Sequence, residues 1–378
     1  MNFLDNLFKS KQARTSSFNR WPGLINAYRD YLNIDSETEI ISLCEGNTPL
    51  ILSPAIAKAC GVPGLKVYIK FEGANPSGSF KDRGMTMAVT KAIASGLRIM
   101  ICASTGNTSA AAAAYTACAR SLGYHDAKCV VLVPDGYIAL GKLAQAIIYG
   151  SQVIQVAGNF DQALNIVREL ADKHPIALVN SVNPDRIEGQ KTAAFEVCDQ
   201  LNGFAPNILC IPVGNAGNIS AYWAGFKQYY NFGVSKTKPR MFGFQAAGAA
   251  PIVLGKPVEN PETIATAIRI GNPASWHMAE AAVKESNGLI DSVTDEEIIE
   301  AYKLIHSAQG ICCEPASAAS VAGLIKVSRQ GKIDPEATIV CVLTGHGLKD
   351  PQTAIDSSQF SPIKTEASMD SVARALNL

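Results

Sequence analysis

Hydrophobic and polar positions between Lys66 and Gly345 follow two alternating patterns. Short apolar runs, some with period-two alternation, are separated by longer segments in which apolar residues recur with the period of a helix. The longer segments predict helices, among them residues 294–309, which open with a capping box from Thr294 to Glu297. The short runs predict strands over residues 66–72, 98–104, 128–134, 151–158, 176–181, 207–214, 240–246 and 337–345.

Strands that alternate with helices in this way are typical of α/β folds, in which helices cover both faces of a parallel sheet. Roughly eight core strands are many for one sheet, so the pattern predicts two α/β domains with a cleft between them. The segment beyond Asp350 is polar, and we expect it to follow the surface with a short helix near residues 368–376.

Composition narrows the class of protein. The 378 residues are 47% hydrophobic and 17% charged, and their formal net charge is zero, which predicts a soluble, folded protein without a nucleic-acid or membrane-surface patch. No apolar run approaches the ~18 residues of a membrane span, and the first residues lack a signal-peptide core. The ten cysteines form no C-x-x-C pair and the five histidines show no ligand spacing. We therefore expect free thiols in a reducing cytoplasm and no metal site.

Ligands of open α/β sheets bind beyond the carboxyl ends of the strands, and the most informative loop of this kind is NPSGSFKDRG, residues 75–84. It puts Lys81 in the first turn of a helix, where the helix dipole lowers the pKa of an amine. A neutral amine reacts with aldehydes to form a Schiff base. Gly78 and Gly84 leave room for another group near the backbone. The alternative is a surface N-cap at Ser79 followed by a solvated lysine.

Three further loops have unusual composition. CASTGNTSAA, residues 102–111, brings free backbone N–H groups and the Asn107 amide to a helix start, although a capped turn would also explain it. TGHGLKD begins with Thr344, whose hydroxyl either points into the cleft or satisfies the backbone. The glycine-rich loop VGNAGN fits a phosphate monoester better than a dinucleotide, with a plain tight turn as the alternative, and its candidate binding residues are Gly214, Asn215, Ala216, Gly217 and Asn218.

Together these loops predict a site for pyridoxal 5'-phosphate. Its aldehyde would react with Lys81 and its phosphate would occupy the 214–218 loop. Asn107 would face the ring O3′, and Thr344 would face the pyridine nitrogen. The cofactor would act as the electron sink while the protein orients it.

Seven motifs in order resemble the threonine synthase family, within the tryptophan-synthase-β-like class of pyridoxal-phosphate enzymes. They are GNTPL (46–50), NPSGSFKDRG (75–84), ASTGNTSA (103–110), NSVNPDRIEGQKTAAFE (180–196), VGNAGN (213–218), EPASAAS (314–320) and TGHGLKD (344–350). The resemblance extends from about Trp21 to Asp350. One departure is His346, where the family commonly has a small polar residue.

This resemblance implies a two-domain fold type II enzyme, usually a homodimer. Its larger cofactor-binding domain would comprise residues 1–84 and 181–355, its smaller mobile domain residues 85–180, and its tail residues 356–378. The implied reaction is that of a carbon–oxygen lyase acting on phosphate, which converts O-phospho-L-homoserine and water to L-threonine and phosphate. Lys81 would be the Schiff-base lysine and the acid/base of that reaction.

The substrate phosphate needs an anion site of its own. Asn180 and Ser181 follow a predicted strand, and Arg186 offers a bidentate fork that suits phosphate. The alternative is a capped strand end with a surface arginine. Hydroxyls at the start of the neighbouring helix would hold the carboxylate or phosphate of the substrate, from Ser104, Thr105 and Thr108.

Two other functions stay open at this stage. Threonine dehydratase, cysteate synthase and sulfhydrylases share the general chemistry, and phosphate release from phosphohomoserine but not phosphoserine would separate cysteate synthase from the predicted enzyme. A non-catalytic binding protein on the same scaffold is disfavoured, because Lys81 and every predicted cofactor contact are present.

Overall fold

A computed structural model describes residues 20–135, 140–358 and 362–378 of the chain. Its strands are β1 (Leu50–Leu52), β2 (Lys66–Phe71), β3 (Ile99–Ala103), β4 (Lys128–Pro134), β5 (Gln152–Val156), β6 (Ile176–Leu178), β7 (Ile208–Pro212), β8 (Arg240–Ala246), β9 (Leu289–Val293) and β10 (Thr338–Leu343). Its helices are α1 (Leu24–Ala27), α2 (Pro54–Cys60), α3 (Lys81–Ala94), α4 (Asn107–Ser121), α5 (Leu140–Ile148), α6 (Phe160–Lys173), α7 (Pro184–Gln190), α8 (Thr192–Gln200), α9 (Gly217–Asn231), α10 (Pro251–Leu254), α11 (Trp276–Glu285), α12 (Asp295–Gln309), α13 (Pro315–Arg329), α14 (Pro351–Ser357) and α15 (Met369–Ala375).

The strands form two sheets. The larger has six strands in the order β1-β2-β10-β7-β8-β9, and the smaller has four in the order β5-β4-β3-β6. Every neighbouring pair is parallel except β1 with β2, which are antiparallel. The predicted α/β class with parallel-rich sheets is therefore confirmed. The division into a larger domain and a smaller mobile one stays a prediction.

All eight predicted strands are present, and two further strands were missed. β1 is only three residues long and pairs antiparallel at the edge of the larger sheet. β9 closes the opposite edge, and Asp291 and Ser292 interrupt its apolar run. Both strands lack the long apolar run that marks a strand buried on both faces. The short helix predicted in the tail is confirmed as α15.

Two glycines bring helices α3 and α7 unusually close together. A Cβ atom on Gly84 would lie 2.9 Å from the carbonyl oxygen of Arg186, and one on Gly189 would overlap the carbonyl of Arg83. Only glycine permits this approach without displacing the backbone. As a result, the Arg186 side chain is held beside the first turn of α3, where Lys81 lies.

A buried ionic cluster fixes the same turn from the other side. Arg83 donates to Glu72 at 2.6 Å and to Glu196 at 2.7 Å, and Lys70 donates to Glu196 at 2.8 Å. All four side chains are at most 2% exposed. The two cations and two carboxylates balance, which is the condition under which charges are tolerated in a protein interior. The cluster joins α3 to β2 and α8.

Candidate active site

Lys81 is the first residue of α3, directly after a turn that is anchored to the end of β10. Gly78 adopts a left-handed backbone with φ of +88°, Ser79 bridges to Gly345, and the Phe80 N–H donates to the Thr344 carbonyl at 3.0 Å. The lysine is therefore at the carboxyl edge of the larger sheet. Its neighbour Asp82 is fully buried and accepts from the Ser77 N–H at 2.6 Å.

The charge state of Lys81 is the main electrostatic feature of the site. Burial and the charge of Arg186 lower the pKa of Lys81, the charge of Glu314 raises it, and the net result is a pKa of about 7. A large fraction of the amine is therefore neutral at physiological pH. The predicted cause was the helix dipole, whereas the structure adds desolvation and a second cation.

Asn107 and Thr344 meet at a carboxylate that the sequence analysis did not select. The Asn107 Nδ2 donates to Glu314 Oε2 at 3.1 Å, and the Thr344 hydroxyl donates to Glu314 Oε1 at 3.4 Å. Ser317 lies 3.0 Å from the Thr344 hydroxyl. Glu314 belongs to the EPASAAS motif, which was noted only as part of the family resemblance. No strand directly precedes it, so its position in the sequence gave no signal of its own.

The loop 214–218 has the features of an anion nest at the start of α9. Ala216 is left-handed with φ of +64°, and within the described chain the backbone N–H groups of residues 214–219 donate to no backbone carbonyl. The Asn218 Nδ2 is buried and has no hydrogen-bond partner in the same part of the chain. Unsatisfied donors of this kind at a helix N-terminus suit a phosphate group. These residues therefore fit the predicted cofactor.

Asn215 turns its side chain away from this nest. Its Nδ2 donates to the Ser181 hydroxyl at 2.5 Å, and its Oδ1 accepts from the Ala274 N–H at 2.7 Å. The contact joins the loop after β7 to the loop after β6. Ser181 keeps its own hydroxyl proton as a donor.

Arg186 is buried beside Lys81. It is 1% exposed, and its Nη1 donates to the Val179 carbonyl at 3.3 Å. Its Nε and Nη2 have no hydrogen-bond partner within the described residues, and burial lowers its pKa to about 10. A buried guanidinium with two unpaired nitrogens provides the fork that a phosphate or carboxylate requires. The alternative of a surface arginine is wrong for this residue.

The other predicted substrate residues differ in how many of their polar atoms already have hydrogen-bond partners within the protein. Both amide atoms of Asn180 bond the Ala103 backbone at 3.0 Å, so this side chain continues the pairing of β6 with β3. The Ser104 hydroxyl accepts from the Gly106 N–H at 3.2 Å. Thr105 and Thr108 are half-buried at the start of α4. Their contacts to a substrate stay predictions.

Two more residues of the TGHGLKD motif lie at the site. Burial lowers the pKa of Lys349, whereas the charges of Asp82 and Glu314 raise it. The Lys349 Nζ contacts Gln145 of α5. His346 accepts from the Leu348 N–H at 3.2 Å through Nδ1, so its ring caps a local turn. Burial lowers the pKa of His346, and the charge of Lys349 lowers it further. Within the described residues no group of three His, Cys, Asp or Glu side chains could hold a metal ion.

Comparison with known proteins identifies the family. The family profile described as "Pyridoxal-phosphate dependent enzyme" matches residues 41–345. The fold is shared with a cysteine synthase from Entamoeba histolytica. The TM-score is 0.70, and the sequences are 19% identical over 88% of this chain and 94% of the other chain. The class defined by fold and site is thus that of the pyridoxal-phosphate dependent enzymes.

Curated relatives narrow this class. The chain is 59% identical to threonine synthase from Synechocystis sp. over 91% of this chain and 87% of the relative. It is 58% identical to threonine synthase from Halalkalibacterium halodurans over 91% of this chain and 94% of the relative. The chain belongs to the threonine synthase family of pyridoxal-phosphate dependent enzymes.

Proposed function

We propose that this chain converts O-phospho-L-homoserine and water to L-threonine and inorganic phosphate, as the names of its relatives suggest. The observation that carries the proposal is the pairing of two anion sites around one reactive amine. The loop 214–218 offers unpaired N–H groups, and Arg186 offers two unpaired guanidinium nitrogens. Lys81, with a pKa of about 7, is coupled electrostatically to Arg186. The proposed cofactor and substrate each carry one phosphate.

We assign the cofactor to residues on both sheets. Lys81 would hold its aldehyde carbon, Asn107 its ring oxygen, and Thr344 its pyridine nitrogen. Gly214, Asn215, Ala216, Gly217 and Asn218 would hold its phosphate through backbone N–H groups and the unpaired Asn218 amide. A hydroxyl at the pyridine nitrogen does not fix a proton there as a carboxylate would. When bound, pyridoxal phosphate delocalises the electrons released at the substrate α-carbon.

Lys81 is the residue that moves protons in this scheme. Since burial and Arg186 lower its pKa to about 7, the amine is available both to accept a proton from carbon and to return one near neutral pH. It would first take the α-proton and pass it to the substrate phosphate, which leaves the amine free to take a β-proton before the γ-phosphate departs as hydrogen phosphate. It would then return the β-proton to the γ-carbon, after which water supplies a hydroxyl to the β-carbon and a proton to the α-carbon.

The substrate phosphate would be held by Arg186 together with Ser181, and its carboxylate by Ser104, Thr105 and Thr108 at the start of α4. Asn180 would contribute through the loop that it fixes against Ala103. Because a phosphate leaves with additional negative charge, a desolvated guanidinium stabilises departure more than a solvated one. Closure of the smaller domain over the cleft would exclude stray water.

The experiment is a phosphate-release assay with product identification. The proposal expects phosphate and threonine from phosphohomoserine, little phosphate from phosphoserine, and no turnover by Lys81→Ala. An Arg186→Lys variant keeps the charge but loses the planar fork, so it should raise KM for phosphohomoserine about tenfold or more. Release of phosphate from phosphoserine but not from phosphohomoserine would refute the proposal in favour of a cysteate synthase.

We further propose a homodimer in the cytoplasm. The support for the compartment is that all ten cysteines are free thiols, which suits a reducing environment. Separately, none of the helices in the described ranges combines the length and hydropathy of a membrane span. The dimer follows from the family resemblance. Analytical ultracentrifugation of the cofactor-loaded protein tests it, and a monomer at micromolar concentration would contradict it.

A further inference from the structure

The Glu314 side chain points away from its own helix. Glu314 is the N-cap of α13, but its side chain makes no bond to the free N–H groups of that helix. Its carboxylate accepts from Asn107 at 3.1 Å and 3.4 Å and from Thr344 at 3.4 Å. The carboxylate therefore makes its contacts in the site and not with its own helix.

These contacts join the two sheets of the molecule. Asn107 follows β3 of the four-stranded sheet, whereas Thr344 follows β10 of the six-stranded sheet. Both residues are assigned here to the cofactor ring. Glu314 accepts from both of them, so one carboxylate can set the orientation of an amide and a hydroxyl that arrive from different sheets.

The surrounding backbone holds this carboxylate in place. The Glu314 N–H donates to the Gly345 carbonyl at 3.0 Å, and the Gly345 N–H donates to the Ser317 hydroxyl at 3.0 Å. A Cβ atom on Gly345 would lie 2.5 Å from Glu314 Oε1. Glu314 itself is 5% exposed. This close fit restricts the rotamers that the Glu314 side chain can adopt.

Four groups face the carboxylate. Burial raises the pKa of Glu314. Four groups lower this pKa and so oppose the effect of burial: the Asn107 hydrogen bond, the charges of Lys349 and Lys81, and the Thr344 hydroxyl. Glu314 in turn raises the pKa of Lys81. The carboxylate and the reactive amine are thus electrically coupled as well as close to the same cofactor contacts.

We propose that Glu314 is a positioning residue for the reaction: its carboxylate orients the Asn107 amide and the Thr344 hydroxyl toward the cofactor ring. This inference rests on the proposed cofactor site. It extends the predicted set of residues by one acid that touches two of its members. A glutamine of the same shape cannot replace it, because one of its two terminal groups is an NH2 that donates where the carboxylate accepts, and because it carries no charge.

Three variants separate the contributions of shape and charge. Glu314→Gln keeps the shape, Glu314→Asp keeps the charge on a shorter side chain, and Glu300→Gln changes an exposed acid on α12 as a control. The first measurement is the pH dependence of competitive acetylation of Lys81 in the cofactor-free protein, read by peptide mass spectrometry. The second is the visible absorbance of the bound cofactor, and the third is kcat and KM for phosphohomoserine.

For Glu314→Gln we expect the midpoint of Lys81 acetylation to fall by about 0.5 pH unit or more. The cofactor absorbance maximum should shift, and kcat should drop about tenfold or more while KM changes less than about threefold. Glu314→Asp should keep the acetylation midpoint but lose kcat, since the shorter side chain cannot reach both donors. Glu300→Gln should match the unaltered protein in all three measurements.

An unchanged acetylation midpoint, an unchanged spectrum and a kcat within twofold in Glu314→Gln would overturn the inference. If that variant does not fold by circular dichroism, Glu314→Asp decides, because aspartate remains a favoured N-cap residue and its kcat either falls or does not. Acetylation and absorbance are read without substrate. Failure of the proposed reaction in the unaltered protein is therefore distinguishable from failure of this inference.

Discussion

Glu196→Gln tests the energetics of the buried ionic cluster beneath Lys81. The Glu196 carboxylate accepts from Lys70 at 2.8 Å, from Arg83 at 2.7 Å and from the Asn47 N–H at 2.8 Å. Glutamine keeps the volume but leaves two buried cations facing the single carboxylate of Glu72. Removing one partner of a buried ion pair costs about 3–5 kcal/mol, and we expect a loss of that size.

The pH dependence supplies an independent estimate. Burial raises the pKa of Glu196, but Arg83 and Lys70 outweigh it and lower the pKa to about 2. A glutamate in the unfolded chain has a pKa of about 4.3, so the difference of about 2 units corresponds to ~3 kcal/mol. Because the folded pKa is depressed, this stabilisation is complete above the unfolded pKa and is lost as the pH falls toward 2.

The assay is urea denaturation followed by circular dichroism at pH 7.5 and at pH 3.5. The matched control is Glu188→Gln, since Glu188 pairs with Lys191 at 2.7 Å but has a side chain that is 30% exposed. Such a pair is worth about 0–1 kcal/mol. Glu196→Gln should lose several times more stability than the control at pH 7.5, and the gap should narrow at pH 3.5. Equal losses in the two variants, or a gap independent of pH, would refute the reasoning.

Three further predictions concern single positions. In the cofactor-free protein Lys81 should be acetylated with a midpoint near pH 7, as its lowered pKa requires, and a midpoint above about 9 would show an ordinary solvated lysine. Asn218→Ala removes an unpaired buried amide and should weaken pyridoxal-phosphate binding about tenfold in an equilibrium titration, whereas unchanged affinity would exclude it from the nest. Gly225→Ala puts a Cβ atom 2.8 Å from the Ala194 Cβ and should cost about 1–3 kcal/mol by urea denaturation, and an unaltered midpoint would contradict the close crossing of α8 and α9.

The sequence predicted the parts of the fold that repeat along the chain. Buried parallel strands are continuous apolar runs, so β4 and β7 were visible without a structure. The edge strands β1 and β9 were not, since their pairing depends on which neighbour the fold brings alongside. Sheet order is likewise a property of contacts between distant segments, and no local pattern encodes it.

The candidate site divides in the same way. Lys81, Asn107 and Thr344 could be selected because each follows a strand end with unusual composition. Glu314 could not, because its contact to Asn107 spans 207 residues of sequence. The amide of Asn180 looked like a substrate donor, yet both of its polar atoms bond the Ala103 backbone. Local sequence shows which side chains have the chemistry to bind a ligand. Only the fold shows which of them already make hydrogen bonds within the protein.

The position of Arg83 two residues after Lys81 has a consequence for turnover. A helix whose first turn is paired with Glu72, directly after β2, and with Glu196 of α8 cannot tilt or rotate without separating opposite charges in the protein interior, which is costly. The position of the Lys81 amine is thus fixed by the protein core and not by the ligand beside it. After each catalytic cycle it should return to the same point in space, so that the next substrate meets a preset geometry without a search.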